Sequence, residues 1–339
     1  DNFKLSEVSI MLNNILFVTD NCEYEKEYSI KNKDSEGNRL FSRDEMVKAL
    51  KTISNHVIVT YSLAEANKYI QSHPDTFVIN TYYGIASPDS KSLLPAICSI
   101  NNVKYWGADP YTQMICNDKY LAKSYIKNFG LTPIPGNIFY SPNNLTNFSQ
   151  ISSMQKPLVV KPNFGGGSNG ISNNSLTHTN EETISLIKEL YKYQDMPILV
   201  EEYIPGYEVS LIIIGNKKEI LFCEESELLL QNKNFFKNEI FGLENKKILP
   251  QHKSYRRSSH IDGKTKKQMI RLFQSFDKAE FMRIDCRVDK LGNIFVLELS
   301  PDCYVGSKGA FFETVRQNGI SFEHMIKMMV DNSINSQSC

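Results

Sequence analysis

Between positions 159 and 170 the chain reads Val-Val-Lys-Pro-Asn-Phe-Gly-Gly-Gly-Ser-Asn-Gly. Three consecutive glycines (Gly165, Gly166, Gly167) and then Gly170 let the backbone approach a ligand with its amides turned inward, and such amide nests bind phosphate oxygens. Lys161, at the end of the apolar run before the loop, adds a point charge. The lysine precedes the glycines and no Gly-Lys-Ser/Thr follows, so this is not a Walker motif. Alone, the segment is equally consistent with a plain turn beside an exposed lysine.

A second constellation lies in Phe281 to Ser300. With Lys290 to Asn293 as the turn and Asp289 paired to Ile294, Asp285 faces Glu298 and Arg283 faces Ser300. Period-two alternation puts these four on one face and Met282, Ile284, Phe295 and Leu297 on the other. Opposed carboxylates about 5 Å apart at Cβ repel unless a cation lies between them, and Mg²⁺ prefers such oxygen ligands. Arg283 alongside can bind an anionic oxygen in its planar fork. Taken alone, the same face reads equally well as an exposed ion pair in which Arg283 serves both acids. A third piece, Val200-Glu-Glu-Tyr-Ile-Pro-Gly-Tyr-Glu208, ends a strand in acids that can accept hydrogen bonds from a base and a sugar. By itself it is an ordinary edge strand ending in Pro-Gly.

These groups need a frame, and the first third of the chain supplies alternating elements. Strands are expected at Ile15 to Thr19, His56 to Thr60, Thr76 to Asn80 and Val103 to Trp106. Two capping boxes, Ser42-x-x-Glu45 and Ser62-x-x-Glu65, open helices between them. Strand–helix alternation predicts a parallel sheet covered by helices. The first strand leaves through Asp20-Asn-Cys-Glu-Tyr24 without a glycine, which argues against a dinucleotide site. Gly107 and Pro110 mark a boundary. Asn117 or Asp118 caps a helix to about Phe129, which Thr132-Pro-Ile-Pro-Gly136 ends. Pro157 to Lys161 is a strand, Thr179-x-x-Glu182 opens a helix to about Lys192, and Ile198 to Tyr203 and Glu208 to Ile214 are strands. Residues 224–262 read as polar and irregular, with basic stretches taken as solvated surface, and Gly263 to Phe276 as a helix.

A chain of 339 residues with 41% hydrophobic content can bury a sizeable core and suggests two or three domains. Lys+Arg and Asp+Glu are both 38, so neither nucleic acid nor an anionic membrane is an expected partner. The longest apolar run, Leu211 to Ile214, cannot span a bilayer, and no signal peptide is read at the start. Seven scattered cysteines without a Cys-x-x-Cys pair fit reduced thiols in the cytoplasm.

In order along the chain, the helix opening at Asn-Asp-Lys119-Tyr, Val-Lys161-Pro with its glycine loop, Glu-Glu-Tyr-Ile-Pro-Gly-x-Glu and Arg-x-Asp…Glu-Leu-x-Pro resemble the ATP-grasp superfamily, most of all its D-alanine–D-alanine ligase branch. The resemblance covers roughly Asp118 to Ile326, and the first third is compatible with it. It implies an α/β (α+β) ATP-grasp fold of three domains. These are an N-terminal parallel-sheet (pre-ATP-grasp) domain at 1–107, a central subdomain with a glycine-rich lid at 108–204, and a C-terminal subdomain with the metal site at 205–335.

The resemblance also implies roles. Lys119, Lys161 and the loop at Gly166, Gly167 and Ser168 would hold ATP phosphates. Glu201 would take the adenine amino group, the backbone at Tyr203 and Ile204 a ring nitrogen, and Glu208 the ribose. Asp285, Glu298 and Ser300 would hold two Mg²⁺, for which Mn²⁺ can substitute, and Arg283 would stabilise developing charge. The implied reaction joins a small-molecule carboxylate to an amine through an acyl phosphate, in a cytoplasmic enzyme expected as a homodimer. The sequence departs from the branch at Ser300, where the family usually has Asn; Asp302 is the alternative ligand. Gly167 stands where these ligases typically carry the first of two serines, and the first strand's exit lacks their Glu-x-x-Ser. These substrate-side departures point away from D-alanyl-D-alanine as product. Two other readings stay open: an ATP-binding protein with a degenerate metal site, and an ATP-grasp ligase that modifies a peptide or protein.

Overall fold

The computed structural model describes residues 11–20, 39–84, 87–141, 148–167, 170–194, 196–240 and 253–337. Ser168 of the glycine loop lies outside them. Its elements build three sheets, each on a core of its own or a shared one.

The first sheet has the strand order β2-β1-β3, all parallel, from β1 (Asn14–Thr19), β2 (Val57–Thr60) and β3 (Thr76–Thr81). A central parallel strand is buried on both faces and reads as a continuous apolar run. Accordingly Ile15 and Phe17 pack with Met46 and Leu50 of α1 (Arg39–Leu50) on one side. Leu16 and Val18 pack on the other with Ala66 and Ile70 of α2 (Leu63–Ser72) and with Leu94 of α3 (Leu93–Ile100). The expected fourth strand at 103–106 is a single bridge, Val78 to Tyr105, because the chain turns at Trp106 to put its indole N–H on the Asn80 carbonyl, 2.8 Å.

The capping box at Ser62 is present: its hydroxyl accepts from the Glu65 amide. The one at Ser42 is not. α1 begins at Arg39, three residues earlier, so Ser42 and Glu45 lie inside the helix and their side chains are used elsewhere.

α4 (Pro110–Asn117) and α5 (Lys119–Lys127) follow, capped by Asp109 and Asp118. α4 falls where the sequence reading placed only a loop. Its signal is Pro110 at the first turn with Asp109 accepting from Thr112 N at 2.8 Å. A four-stranded antiparallel sheet, order β4-β7-β5-β6, comes next. It is built from β4 (Gly136–Phe139), β5 (Leu158–Pro162), β6 (Leu176–Thr177) and β7 (Ile198–Glu202). α6 (Phe148–Ser153) and α7 (Asn180–Gln194) cover it, and the capping box of α7 closes both ways between Thr179 and Glu182.

The third sheet runs β11-β9-β8-β12-β13, with β10 paired to β8. Its members are β8 (Gly206–Gly215), β9 (Ile220–Leu230), β10 (Phe235–Phe236), β11 (Lys253–Arg257), β12 (Phe281–Val288) and β13 (Ile294–Ser300). The sequence reading had 224–262 irregular; residues 224–230, 235–236 and 253–257 are instead strand, and 241–252 lie outside the described residues. Glu225 and Glu227 break the apolar pattern of β9 yet are buried, because both are paired. Glu227 accepts from Arg256 Nε at 2.6 Å and from Asn234, and Glu225 from Ser258 Oγ and Ile261 N. α8 (Gly263–Ser275) lays Met269, Leu272 and Phe273 on Met282, Ile284 and Cys286, and α4 and α5 join the same core through Ile115, Ala122 and Ile126.

The opposite face of this sheet meets the first sheet. Ile212, Phe281 and Phe311 share one core with Ile15 and Phe17, closed by α9 (Ala310–Arg316) and α10 (Phe322–Ser336). No helix among the described residues is long and apolar enough to cross a membrane.

Candidate active site

The β12–β13 hairpin has the expected pairing at its chemical end: Asp285 faces Glu298 and Arg283 faces Ser300. Beyond Asp285 a β-bulge with Leu297 as the extra residue shifts the register, so Cys286 faces Val296 and Val288 faces Ile294. Val296 and Leu299, not Phe295 and Leu297, therefore turn into the core beside Met282 and Ile284. The bulge follows from docking of residues 132–134 on the outer edge of β13, where Val296 N donates to Thr132 O at 2.8 Å.

Arg283 does not divide itself between the two acids. Its guanidinium forks onto Asp285, with Nε 2.8 Å from Oδ1 and Nη2 2.9 Å from Oδ2, and Ser210 Oγ of β8 donates to the same carboxylate at 2.7 Å. Glu298 lies instead 4.0 Å from Lys119 Nζ. Oxygen donors from Asp285, Glu298 and Ser300 on one face, with two cations already balancing the acids, form a set whose chemistry suits a hard divalent ion. Among the described residues no three His, Cys, Asp or Glu side chains gather closely enough to hold one. Asp302 accordingly does not join the pair. It is drawn off to Lys91, 2.7 Å away.

The glycine loop leaves β5 and is stapled at its base to the α4–α5 junction. Asn163 donates to Asp118 Oδ1 at 2.8 Å and accepts from Tyr120 N, while Gly165 N donates to Asn117 Oδ1. Gly165 and Gly167 have φ of 87° and 67°, the left-handed region that a side chain resists, so the turn requires glycine there. Lys119, first residue of α5, sends its ammonium into this turn. It donates to Gly165 O at 2.5 Å and Asn163 O at 3.3 Å. Burial pushes the Lys119 ammonium down to about 8; Glu298 works against that shift, and Lys161 and Lys91 add to it.

Lys161 is buried, and so is the lysine the sequence reading missed, Lys123. Both contact Glu201, one on each carboxylate oxygen. Burial alone would raise the Glu201 carboxyl; the two ammonium groups outweigh it and hold it below the usual range. Glu201 has 2% of its side chain exposed, and both of its oxygens are engaged by these lysines. It fixes Lys161 in place. The Tyr203 amide is likewise used, donating to Pro157 O at 2.9 Å, which leaves the Ile204 end of that pair for a ring nitrogen. Glu208 sits 22% exposed at the same edge, 3.2 Å from Arg287 Nη2.

A cavity of about 80 Å³, open at its mouth, separates this cluster from the first sheet. Phe17, Met46, Trp106, Phe281 and Val305 line it with apolar surface, and Asp20, Arg43 and Asp302 with charge. α1 holds its outer wall: the Ser42 hydroxyl meets the Tyr304 hydroxyl, and Glu45 accepts from Ser307 N at 2.9 Å. Among these wall residues the sequence reading gave a possible site role to Asp302 alone, as the alternative metal ligand, and read Ser42 and Glu45 as a helix cap. Ser210 carried a sequence signal, since Glu208 and Ser210 alternate along β8 toward the same face as Asp285.

The chain is similar to known proteins in sequence and in fold. The family model described as D-ala D-ala ligase C-terminus matches residues 127–331. A D-alanine–D-alanine ligase of Petrotoga mobilis is 25% identical over 261 residues, covering 76% of this chain and 80% of that protein. The solved D-alanine–D-alanine ligase of Bacillus anthracis complexed with ATP is similar with a TM-score of 0.73 at 15% identity, over 96% of this chain and 98% of that one. The VanG D-Ala:D-Ser ligase of Enterococcus faecalis is similar with a TM-score of 0.67 at 16% identity, over 95% and 99%.

Proposed function

Since the chain belongs to the D-alanine–D-alanine ligase family and is thereby an ATP-grasp carboxylate–amine ligase, we propose that it acts through an acyl phosphate on an amino-acid pair other than two D-alanines. The observation that carries the phosphate site is Lys119, whose ammonium touches the glycine turn and lies 4.0 Å from Glu298. One side chain thus links the loop that would cradle phosphate to the hairpin that would bind metal.

On this reading Lys119, Lys161 and the amides of the glycine loop bind the ATP phosphates. Glu201 and Lys123 orient Lys161, the Ile204 backbone meets the base and Glu208 the ribose. Asp285, Glu298 and Ser300 would hold Mg²⁺, which when bound draws charge from the phosphate oxygens. Arg283, already beside Asp285, is placed for charge that develops on the transferring group. Little covalent work falls to the protein in such a transfer, so position and neutralisation dominate. The glycine loop closes over the site and keeps water from the acyl phosphate. The three sheets support a division into domains at 1–107, 108–204 and 205–335.

The cavity supports a product other than D-alanyl-D-alanine. Its floor of Trp106, Phe281 and Phe17 is aromatic and apolar, a surface that suits an apolar side chain. Gly167, where the branch typically has a serine, offers no hydroxyl. The Enterococcus relative's name, D-Ala:D-Ser ligase, indicates that the fold admits other pairs. Phosphate release from ATP and Mg²⁺ with each pair of a D- and L-amino-acid panel tests this. We expect release with a pair that includes a larger side chain. A best rate with D-alanine alone would overturn the substrate reading, and no release with any pair would overturn the ligation reading.

A further inference from the structure

Lys91 has no part in the site as derived so far. It lies in the turn Ser90–Ser92 before α3, in the first third of the chain, with 14% of its side chain exposed. Its ammonium nevertheless reaches the phosphate side. A Cβ built on Gly166 would stand 3.3 Å from Lys91 Nζ, so the lysine lies against the glycine loop. On its other side it meets Asp302 Oδ2 at 2.7 Å and lies over the Tyr83 ring, 5.4 Å from its centre. Tyr83 and Asp302 are both walls of the cavity, and the Tyr83 hydroxyl donates to the Asp302 carbonyl at 2.7 Å. Lys91 thus stands where the cavity opens onto the loop.

Any carboxylate delivered from the cavity to a phosphate on the loop must pass this point. Two anions approach one another there only if a cation lies between them. The partner Lys91 holds in the structure is itself a carboxylate, on a two-residue spacing from Ser300. Building on the ligase reading, we propose that Lys91 receives the substrate carboxylate beside the γ-phosphate, with Asp302 as its placeholder. Once displaced, Asp302 accepts the ammonium of the same substrate. The substrate is therefore an amino acid: its two charges exchange with the resident ion pair, so no charge is left unpaired. In the step that follows, a carboxylate oxygen forms a bond to the γ-phosphorus. The bond from that phosphorus to the β–γ bridging oxygen breaks, and its electron pair leaves with ADP. Lys91 stays protonated throughout.

The test is steady-state kinetics at saturating ATP and amine, with the ATP dissociation constant measured in parallel. Wild type, Lys91→Met, Lys91→Arg and Asp302→Asn are compared, with phenylalanine against hydrocinnamate and alanine against propionate in the carboxylate role. Lys91→Met should lose about 10²-fold in kcat/KM, the scale for removing one charge-stabilising donor, with ATP affinity within about twofold of wild type, a span worth ~0.4 kcal/mol. Lys91→Arg should recover part of that loss. In Asp302→Asn the preference for the amino acid over its des-amino counterpart should fall about tenfold, the scale of one charged hydrogen bond. A wild-type rate in Lys91→Met, a parallel loss of ATP affinity, or an unchanged preference in Asp302→Asn would overturn the proposal and leave the ligase reading standing. Absence of turnover in the wild type with every pair would overturn both.

Discussion

Lys119 is buried among two backbone carbonyls, two carboxylates and two further ammonium groups. A buried ammonium in such company is held back from its ordinary value of 10.5 to about 8, first by burial. Binding phosphate requires the charged form. ATP affinity should therefore be full below about pH 8 and weaken as pH rises through it, toward a limit of about tenfold per unit. The stability term has the opposite sense: between about 8 and 10.5 the unfolded chain holds more protons at this site than the folded one, so folding gains as pH rises there. Dissociation constants for a non-hydrolysable ATP analogue across that window check the binding half, and a flat profile would contradict it. Lys161, Asp285 and Glu298 could be singled out in the sequence because each sits in a local pattern of glycines or alternation, whereas Lys119 came only with the family resemblance. Lys123 came with neither. It is one of three lysines in α5, and only the fold shows that it, and not Lys127, turns onto Glu201. The same limit hid the partners of Glu201: an acid at a strand end looks like a ligand contact, and its two buried lysines are seen only in the fold.

α1 shows how an element can be found while its use is missed. The helix expected after Ser42 is there, and its apolar positions, Met46, Leu50 and then Ile53, pack on β1. Ser42 and Glu45, three apart at what looked like the helix start, instead reach across to the loop after β13. That loop, with Tyr304 and Gly306, forms a wall of the cavity. Glu45→Ala should free the Ser307 amide and raise the KM of the substrate bound there by about tenfold, as loss of a half-exposed charged hydrogen bond of ~1.4 kcal/mol would. ATP affinity should not change. Equal losses for substrate and ATP, or none, would contradict this. The hairpin carries a related lesson. Alternation gives the facing of Asp285 and Glu298, but the bulge at Leu297 depends on a distant segment, residues 132–134, docking on β13. β9 was hidden for a third reason: its buried acids are satisfied by partners up to 36 residues away, which hydrophobic patterning does not register.

Across the whole molecule, the first and third sheets share one apolar core and a polar clamp. Glu280 accepts from the Gly107 amide at 2.6 Å and pairs with Lys278, whose ammonium also reaches the Tyr105 carbonyl. Burial pushes the Glu280 carboxyl up and the Lys278 ammonium down, and each counters the shift of the other. The cavity therefore has a fixed floor between these two sheets, while the middle sheet carries the glycine loop over its mouth. The strand–helix alternation made the first, parallel sheet readable in advance, and the motif order the ATP-grasp fold. The cavity was not readable, because its walls come from six separate stretches of chain that only the closed fold assembles. The most direct test of the ligase assignment with its metal-binding hairpin is product stoichiometry under single-turnover conditions, in the wild type and in Glu298→Ala. The expected result is one ADP and one phosphate per amide formed in the wild type. Glu298→Ala should form no product although its circular dichroism and unfolding midpoint stay near wild type. AMP and pyrophosphate in place of ADP and phosphate, or an active Glu298→Ala, would contradict it.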